Sequence, residues 1–322
     1  MSAPRLAGAN EESFPLNIVS AISDLSTLRS PVSIAAGVFD GVHLGHRAVI
    51  SQALDFAKAD GGTAVVLTFD PHPTSILRPD NASPLLTSTR HKLRILAALG
   101  IGHTLVIPFT REFAATEPAA FIGQLAAACE LRHFCVGHDW AFGKGRAGNL
   151  ELLTTLGAQL GFEACGIPSV AVDGQPVSST AIRAALGDGD LATAQRLLGR
   201  PFSIFGTIIA GNQLGRTIGF PTANIRPENE QLPPNGVYAV SADLGNGRIR
   251  GVANIGLRPT VEAAAKERLL EVHLFDFNGD LYGADVEVHF HRFIRPEQKF
   301  ASLDALKAQI AADAATARAA AF

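Results

Sequence analysis

Short continuous apolar runs alternate with helix-spaced apolar patterns along the first half of the chain. The runs at 32–39 and 63–69 are rich in branched residues and are bounded by glycine and proline, as buried strands typically are. The segment 48–62 between them repeats apolar residues on one helix face and ends in two glycines. The order of strand, helix and strand predicts a βαβ unit.

The alternation continues as far as residue 137. Helical patterns at 91–100 and 119–129 alternate with strand patterns at 103–109 and 133–137. Because parallel strands need a long crossover between them, this order favours a parallel sheet with helices on both faces. We therefore predict an α/β, Rossmann-like N-terminal domain.

Beyond residue 200 the pattern acquires a period of two. The segment 236–256 holds two extended runs around a glycine-rich turn, and 269–277 and 285–293 alternate apolar with polar residues. His289 and His291 fall on the polar side of the last segment, so we expect them to face solvent. Strands joined by glycine-rich turns predict a small antiparallel β-barrel, after which the chain ends in an alanine-rich helix.

These patterns divide the chain into four segments. Residues 1–14 form a loose tail without the basic and apolar pattern of a signal peptide. Residues 15–188 form the α/β domain, 189–199 a linker helix, and 200–322 the barrel domain with its terminal helix. The boundary is placed at the Gly-Arg-Pro break that ends the linker helix.

Composition adds constraints on partners and location. The 322 residues are 47% hydrophobic and 18% charged, with a formal net charge of −3 and no runs of lysine and arginine. A nucleic-acid partner is not favoured because binding to the phosphate backbone needs a basic stripe, and no membrane partner is expected because no apolar stretch could span a bilayer. Cys129, Cys135 and Cys165 form no C-x-x-C pair, so we expect free thiols in a cytoplasmic protein.

The segment GVFDGVHLGH (37–46) lies between the first predicted strand and its helix, where doubly wound folds bind nucleotides. Gly41 and Gly45 allow a ligand to approach the backbone, and the helix start directs N–H groups and a positive dipole toward it. His43 and His46 would then contact phosphate oxygens and stabilise charge that develops on phosphorus. A metal site, which needs a third ligand, and a purely structural role for both histidines are the alternatives.

The segment SSTAIR (178–183) is the candidate partner of that turn. Ser178, Ser179 and Thr180 form a hydroxyl-rich helix start, and Arg183 follows one turn later. Hydroxyls and a guanidinium in this arrangement would hold the β- and γ-phosphates as they leave as pyrophosphate. The alternative is ordinary helix capping, since serine and threonine are preferred at N-caps.

The segment GRTIGFPTAN (215–224) opens the second domain with a different kind of phosphate loop. The backbone at Gly215 and Gly219 could cover phosphates, although the spacing is not that of a Walker A loop. The Thr222 hydroxyl and the Asn224 amide oxygen are hard ligands that suit Mg²⁺ bridged by ATP phosphates. A tight loop without a ligand is the alternative.

Glu271 is the candidate general base of the second domain. It alternates onto the face opposite Val272 and Leu274, and a carboxylate fixed on a strand could take the proton of a primary hydroxyl. A solvated strand residue is the alternative.

The first two motifs resemble a known superfamily. HLGH together with SSTAIR resembles the adenylyl-transferring enzymes with H-x-G-H signatures, and TFDPHP (68–73) and GHDWAFGKGRAG (137–148) narrow the resemblance to the N-terminal module of bacterial bifunctional riboflavin kinase/FAD synthetases. The chain departs from the usual pattern at Trp140, where phenylalanine is usual, and at Ala181, a position that is often arginine. The change at Ala181 removes a possible phosphate contact.

This resemblance implies roles for individual residues. Catalysis falls to His43, His46 and Arg183. Binding of ATP and its phosphates falls to Gly37, Phe39, Asp40, Gly41, Gly45, Ser178, Ser179 and Thr180. Binding of the flavin falls to Pro71, His72, Pro73, Asp139 and Phe142.

The second domain resembles riboflavin kinases. GRTIGFPTAN, GVYAV, GVANIGLRPT and FDFNGDLYG carry the resemblance over nearly all of residues 200–300. It implies that Thr222 and Asn224 hold Mg²⁺ and that Glu271 activates the ribityl 5′-hydroxyl. Gly215, Arg216 and Gly219 would contact ATP.

The two resemblances imply one bifunctional enzyme. Its barrel domain would phosphorylate riboflavin with ATP and Mg²⁺ to give FMN, and its α/β domain would adenylylate FMN with a second ATP to give FAD and pyrophosphate. The alternatives are a flavin-binding sensor or scaffold without catalysis, and another adenylyltransferase of the H-x-G-H type, which would leave the barrel unexplained.

Overall fold

A computed structural model describes residues 16–211, 219–245, 247–258 and 267–321. Within these ranges the chain forms two compact units, with the boundary between Ser179 and Thr180. The short stretch Leu86–Ser88 belongs to the second unit. The predicted limits, with the α/β domain ending at residue 188 and the barrel domain beginning at residue 200, stay predictions. The predicted tail and the candidate residues Gly215 and Arg216 lie outside the described residues.

Six strands form the sheet of the first unit. They are β1 (Asn17–Val19), β2 (Val32–Ala36), β3 (Thr63–Asp70), β4 (His103–Pro108), β5 (Leu131–Gly137) and β6 (Glu163–Ile167). Their order across the sheet is β1-β4-β3-β2-β5-β6, and each neighbouring pair is parallel. The predicted parallel α/β fold is confirmed.

The helices of the first unit cover both faces of the sheet. They are α1 (Leu44–Ala59), α2 (Pro73–Leu77), α3 (Thr89–Ala98), α4 (Arg111–Ala114), α5 (Pro118–Ala128) and α6 (Leu150–Leu160), with 3₁₀ turns at Ile22–Thr27, Pro79–Asn81 and Lys144–Arg146 and a two-stranded ribbon of β7 (Ala171–Val172) and β8 (Gln175–Pro176). Successive residues of one strand pack into different cores: Ile34 joins one apolar cluster and Ala35 the other. Burial on both sides explains why these strands read as continuous apolar runs.

The central strand β2 creates the position of the first candidate site. It pairs with β3 on one side and with β5 on the other, so the chain order reverses at its carboxyl end. Crevices at such a reversal are where open α/β sheets bind ligands. The GVFDGVHLGH segment begins directly after β2.

The second unit begins with two helices and continues as a closed barrel. Its elements are α7 (Ser179–Gly187), α8 (Leu191–Leu198), β9 (Phe202–Ile209), β10 (Ala223–Pro227), β11 (Gly236–Asp243), β12 (Arg248–Arg258), β13 (Glu267–Leu274), β14 (Asp285–Arg295) and α9 (Leu303–Ala319). The six strands close in the order β10-β13-β12-β11-β14-β9 with antiparallel pairing throughout. The predicted barrel and its terminal helix are confirmed.

The prediction that His289 and His291 face solvent is wrong. His289 is only 4% exposed; it lies between Ser203 of β9 and Ser241 of β11, and α8 packs against β9 and β14. His291 is half-buried, and its Nε2 lies 2.9 Å from the Ser241 hydroxyl. Burial, reinforced by neighbouring positive groups, lowers the pKa of His291 to about 4, so this ring is neutral at physiological pH.

The free thiols agree with the expectation from the sequence. Cys135 is buried, Cys129 and Cys165 are half-buried, and all three are free. Burial raises the pKa of the Cys129 thiol to about 11, which disfavours the reactive thiolate. None of the described helices is long and apolar enough to cross a membrane.

A buried ion pair fastens α9 to the barrel. The Arg295 guanidinium at the end of β14 donates to both carboxylate oxygens of Asp313, with Nε at 3.0 Å from Oδ1 and Nη2 at 2.7 Å from Oδ2. Gln309 donates a further bond to Asp313, and the two charged side chains are only 18% and 5% exposed. Ala314 and Ala317 pack beside this pair on Val252, so the helix and the barrel share one small core.

We expect Asp313→Ala to destabilise the barrel unit by about 3 kcal/mol, because it leaves a largely buried guanidinium without its counter-charge. Hydrogen exchange of the barrel strands measures the loss. The fluorescence of Trp140, the single tryptophan, reports on the other unit and should unfold as before. The matched control is Asp304→Ala at the exposed start of α9, where a cost of at most about 1 kcal/mol is expected. Equal effects of the two substitutions would contradict the role of the pair.

Candidate active sites

The turn between β2 and α1 is held in an unusual backbone conformation. Phe39 (φ 53°), Gly41 (φ 83°) and Val42 (φ 41°) all lie in the left-handed region, and the Val42 N–H donates to the Phe39 carbonyl at 3.2 Å. Side-chain-bearing residues in this region cost about 1–3 kcal/mol each, and a β-branched valine is especially disfavoured. Strain that the surrounding fold maintains is a common feature of ligand sites.

The two histidines of this turn form a stacked pair at the start of α1. His43 is the N-cap residue, and its Nδ1 accepts a hydrogen bond from the His46 N–H at 3.3 Å. The two rings stack with centroids 3.5 Å apart. Because His43 Nδ1 accepts this bond, a neutral His43 ring carries its proton on Nε2. A Cβ at Gly45 would lie 3.2 Å from the His43 ring, so glycine gives this ring room.

The turn opens into a cavity of about 650 Å³ that lies within the first unit. The predicted site residues that line it are Gly37, Phe39, His43, Gly45, His46, Pro73, Asp139, Phe142, Ser178 and Ser179. The Ser179 hydroxyl donates to the Asp40 carbonyl at 3.0 Å, which ties the SSTAIR segment to the turn between β2 and α1. The structure therefore brings together two motifs that are more than 130 positions apart in the sequence.

The other predicted residues of this site do not line the cavity. Asp40 is 3% exposed and, like Gly41 and Pro71, does not line the cavity. His72 does not line it either, because its Nδ1 accepts from the Thr74 N–H at 3.2 Å and caps α2. Thr180 and Arg183 follow Ser179 in α7, and they belong to the second unit.

An aromatic wall, of which the sequence analysis assigned only Phe142 to the site, completes the cavity. Trp140 stacks on Phe142 with ring centroids 4.4 Å apart. Four further phenylalanines from β3, the β4–α4 region and α5 line the same space: Phe69, Phe109, Phe113 and Phe121. Phe69 belongs to the TFDPHP segment, but the other three come from separate elements with no common spacing, so only the general abundance of phenylalanine could have signalled them. A flat apolar wall beside a polar turn suits a ligand with an aromatic ring system and phosphates.

The second cavity, about 420 Å³ in volume, lies within the second unit. Glu271 is at its centre, because β13 runs between β10 and β12 and places Glu271 opposite Asn224 on one side and Asn254 on the other. Val272 and Leu274, the neighbours on the other face, are buried, as the alternation predicts. Thr222 also lines the cavity.

Close packing fixes the groups around Glu271. A Cβ at Gly211 would collide with the Asn224 side-chain amide, so the glycine leaves the space that this amide fills. His273 Nδ1 lies 2.8 Å from the Pro221 carbonyl and ties the P-T-A-N segment to β13. Gly219, with a φ of 90°, lies at the edge of the described part of this loop.

The donor atoms at this cavity are those that a hard divalent cation prefers. The hydroxyl of Thr222, the amide oxygen of Asn224 and the carboxylate of Glu271 line one space and are all oxygen ligands. Among the described residues no group of three or more His, Cys, Asp or Glu side chains could hold a metal ion. Mg²⁺ is usually coordinated by a few protein ligands together with substrate phosphates, so the residues present fit that ion.

The folds and the two cavities together are those of a transferase with two phosphate-handling domains. The FAD synthetase family model matches residues 26–181, and the riboflavin kinase family model matches residues 198–321. The bifunctional riboflavin kinase/FMN adenylyltransferase of Escherichia coli K12 is 44% identical over 287 residues, which cover 88% of this chain and 91% of that protein. The protein of the same name from Haemophilus influenzae is 40% identical and covers 94% of this chain and 99% of its own length.

The chain belongs to the family of bifunctional riboflavin kinase/FMN adenylyltransferases, and it has both of the activities that define the family. A crystal structure of a protein described as a macrolide-efflux protein from Streptococcus pneumoniae is also similar, with a TM-score of 0.81, 31% identity and coverage of 94% of this chain and 99% of that one. That similarity supports the fold, whereas the two family models identify the chemistry.

We expect Gly211→Ala to lower riboflavin kinase activity at least about tenfold, because the new methyl group displaces the Asn224 amide and a 1 Å error in a catalytic group is this costly. FMN adenylyltransferase activity of the same protein should be unchanged, which provides an internal reference. The control is Gly187→Ala in the second unit, where an added Cβ meets nothing within 4 Å. Full kinase activity of Gly211→Ala would show that the Asn224 amide is not needed where the structure places it.

Proposed function

We propose that FMN adenylyl transfer takes place in the 650 Å³ cavity of the first unit and riboflavin phosphorylation in the 420 Å³ cavity of the second. The observation that carries this assignment is that each cavity combines polar phosphate-type residues with an apolar wall. The stacked histidines face the same space as the aromatic wall in the first cavity. In the second, Phe220 and Phe300 line the space that Glu271 occupies.

In the first cavity the FMN phosphate attacks the α-phosphorus of ATP. A phosphate monoester is already an anion, so this step needs positioning and charge stabilisation more than a strong base. His43 and His46 donate to the α-phosphate oxygens, on which charge accumulates as the new bond forms. Ser178 and Ser179, which line this cavity, hold the departing pyrophosphate.

The isoalloxazine ring of the flavin occupies the aromatic part of this cavity. Trp140 and Phe142 offer stacked rings, and Pro73 and Asp139 line the same space. His72 caps α2 and so fixes the segment that carries Pro73. The indole of Trp140 gives a larger stacking surface than the phenylalanine usual in the family.

In the second cavity Glu271 takes the proton from the ribityl 5′-hydroxyl, which then attacks the γ-phosphorus of ATP. Thr222 and Asn224 would hold Mg²⁺, which would supply positive charge to neutralise the ATP phosphates. Gly219, together with Gly215 and Arg216, covers the phosphates. The product FMN is the substrate of the first cavity, and the use of cytosolic ATP in both steps favours a cytoplasmic location.

We expect Glu271→Gln to lower the rate of riboflavin phosphorylation by about 10²–10⁴-fold, because the amide cannot accept the hydroxyl proton. Conversion of supplied FMN to FAD should continue at the normal rate. Chromatographic separation of the flavins after incubation with ATP and Mg²⁺ measures both steps. Asp304→Asn, the same chemical change at the exposed start of α9, is the control and should leave both steps unchanged.

We expect His46→Ala to have the converse effect, with adenylyl transfer lowered by about 10²–10³-fold through loss of one donor to the developing charge. Riboflavin phosphorylation should be preserved. The control is His103→Ala at the amino end of β4, which is the opposite end of the parallel sheet. If either His46→Ala or Glu271→Gln abolished both activities while the protein stayed folded, the assignment to two independent sites would be wrong.

A further inference from the structure

A buried lysine lies directly behind the strained turn of the first unit. Lys92, on α3, is only 4% exposed, and its ammonium donates to the Val38 carbonyl at 2.8 Å and to the Thr68 hydroxyl at 3.1 Å. The Thr68 hydroxyl in turn donates to the same Val38 carbonyl at 3.0 Å. Two donors from two different elements therefore hold one carbonyl, at the point where the chain leaves β2 and before Phe39 enters the left-handed region.

Two carboxylates make the charge of this lysine tolerable. Asp40, in the turn itself, and Asp70, at the end of β3, are the groups that favour the charged form of Lys92. Burial opposes them and lowers the pKa of Lys92 to about 8, so the ammonium is charged at neutral pH in spite of its burial. A buried ammonium is costly, and a methionine of similar shape would fill the same space without that cost.

The position of Asp40 indicates what the positive charge of Lys92 does. A buried carboxylate within a turn that accepts phosphates would repel the triphosphate of ATP unless a nearby cation offsets it. Lys92 is such a cation. Its contacts are all with the framework of the turn, and it does not line the cavity, so it acts through other residues and not on the substrate.

We propose that Lys92 is a positioning residue for adenylyl transfer: by fixing the Val38 carbonyl and offsetting the Asp40 carboxylate, it keeps the turn in the shape in which His43 and His46 meet the α-phosphate. The proposal rests on the assignment of adenylyl transfer to this turn. It predicts that Lys92 serves the reaction and not the stability of the fold.

The test is Lys92→Met in the full-length protein, with both activities measured on the same sample. We expect kcat for adenylyl transfer to fall about 10–100-fold, with a smaller change in KM for ATP, because misplaced histidines lose contacts made mainly in the transition state. Riboflavin phosphorylation should be unchanged. The urea midpoint, followed by Trp140 fluorescence, should stay the same or rise, since the Thr68 hydroxyl still satisfies the Val38 carbonyl.

Lys58→Met, at the exposed last turn of α1, is the matched control and should alter none of these quantities. A second variant, Thr68→Val, removes one of the two donors to Val38 and keeps the ammonium. It should lower kcat for adenylyl transfer by less than Lys92→Met does, and it keeps the proposal testable if Lys92→Met does not fold.

The outcomes separate this proposal from the one on which it rests. A folded Lys92→Met protein with normal kcat for adenylyl transfer, or with both activities lowered equally, overturns the role of Lys92. For the second variant, a normal kcat in Thr68→Val overturns the claim that the two donors to the Val38 carbonyl position the turn. If His46→Ala retains adenylyl transfer, the assignment of the site itself has failed. Loss of adenylyl transfer in His46→Ala together with normal adenylyl transfer in Lys92→Met would support the assignment of the site and overturn only the role of Lys92.

Discussion

The main constraint on the first unit is the short connection from β2 to α1. The chain must leave a strand that is buried on both faces and begin a helix after only seven intervening residues, and it does so through a backbone with three left-handed residues. The bond from His46 N–H to His43 Nδ1 closes this connection at the helix start. This connection places the two imidazoles and the start of α1 beside the same cavity. The turn depends on the buried groups that support it.

In each unit a glycine leaves space for a neighbouring polar group. Gly45 makes room for the His43 ring, and Gly211 makes room for the Asn224 amide. In each case an apolar surface borders the polar group, formed by aromatic rings in the first unit and by barrel residues under α9 in the second. This arrangement suits substrates with a flat ring at one end and phosphates or a reacting hydroxyl at the other. It also explains how two unrelated folds serve consecutive steps on one flavin.

Sequence patterns were most informative where local structure decides the outcome. The buried strands β2 and β3 and the helix α1 follow directly from apolar periodicity, and Glu271 lies on the face that alternation assigns to it. The short edge strands β1 and β6 were not predicted, because three or five residues of mixed polarity carry no distinct period. The solvated state expected for His289 was wrong for a different reason, since strand alternation does not show what packs on the other face of a strand, and His289 is buried.

By itself the sequence determined the two fold classes, the family and the motifs that carry phosphate chemistry, because these depend on periodicity and on residues close together in the chain. Only the tertiary structure decided which groups meet. It joined Ser179 to the turn at Asp40, set Asn224 and Asn254 on either side of Glu271, and assembled the aromatic wall around Trp140. Lys92 shows the difference most clearly. In the sequence it is an ordinary helical lysine, and its contact with Val38 exists only because α3 packs behind a turn 54 residues away.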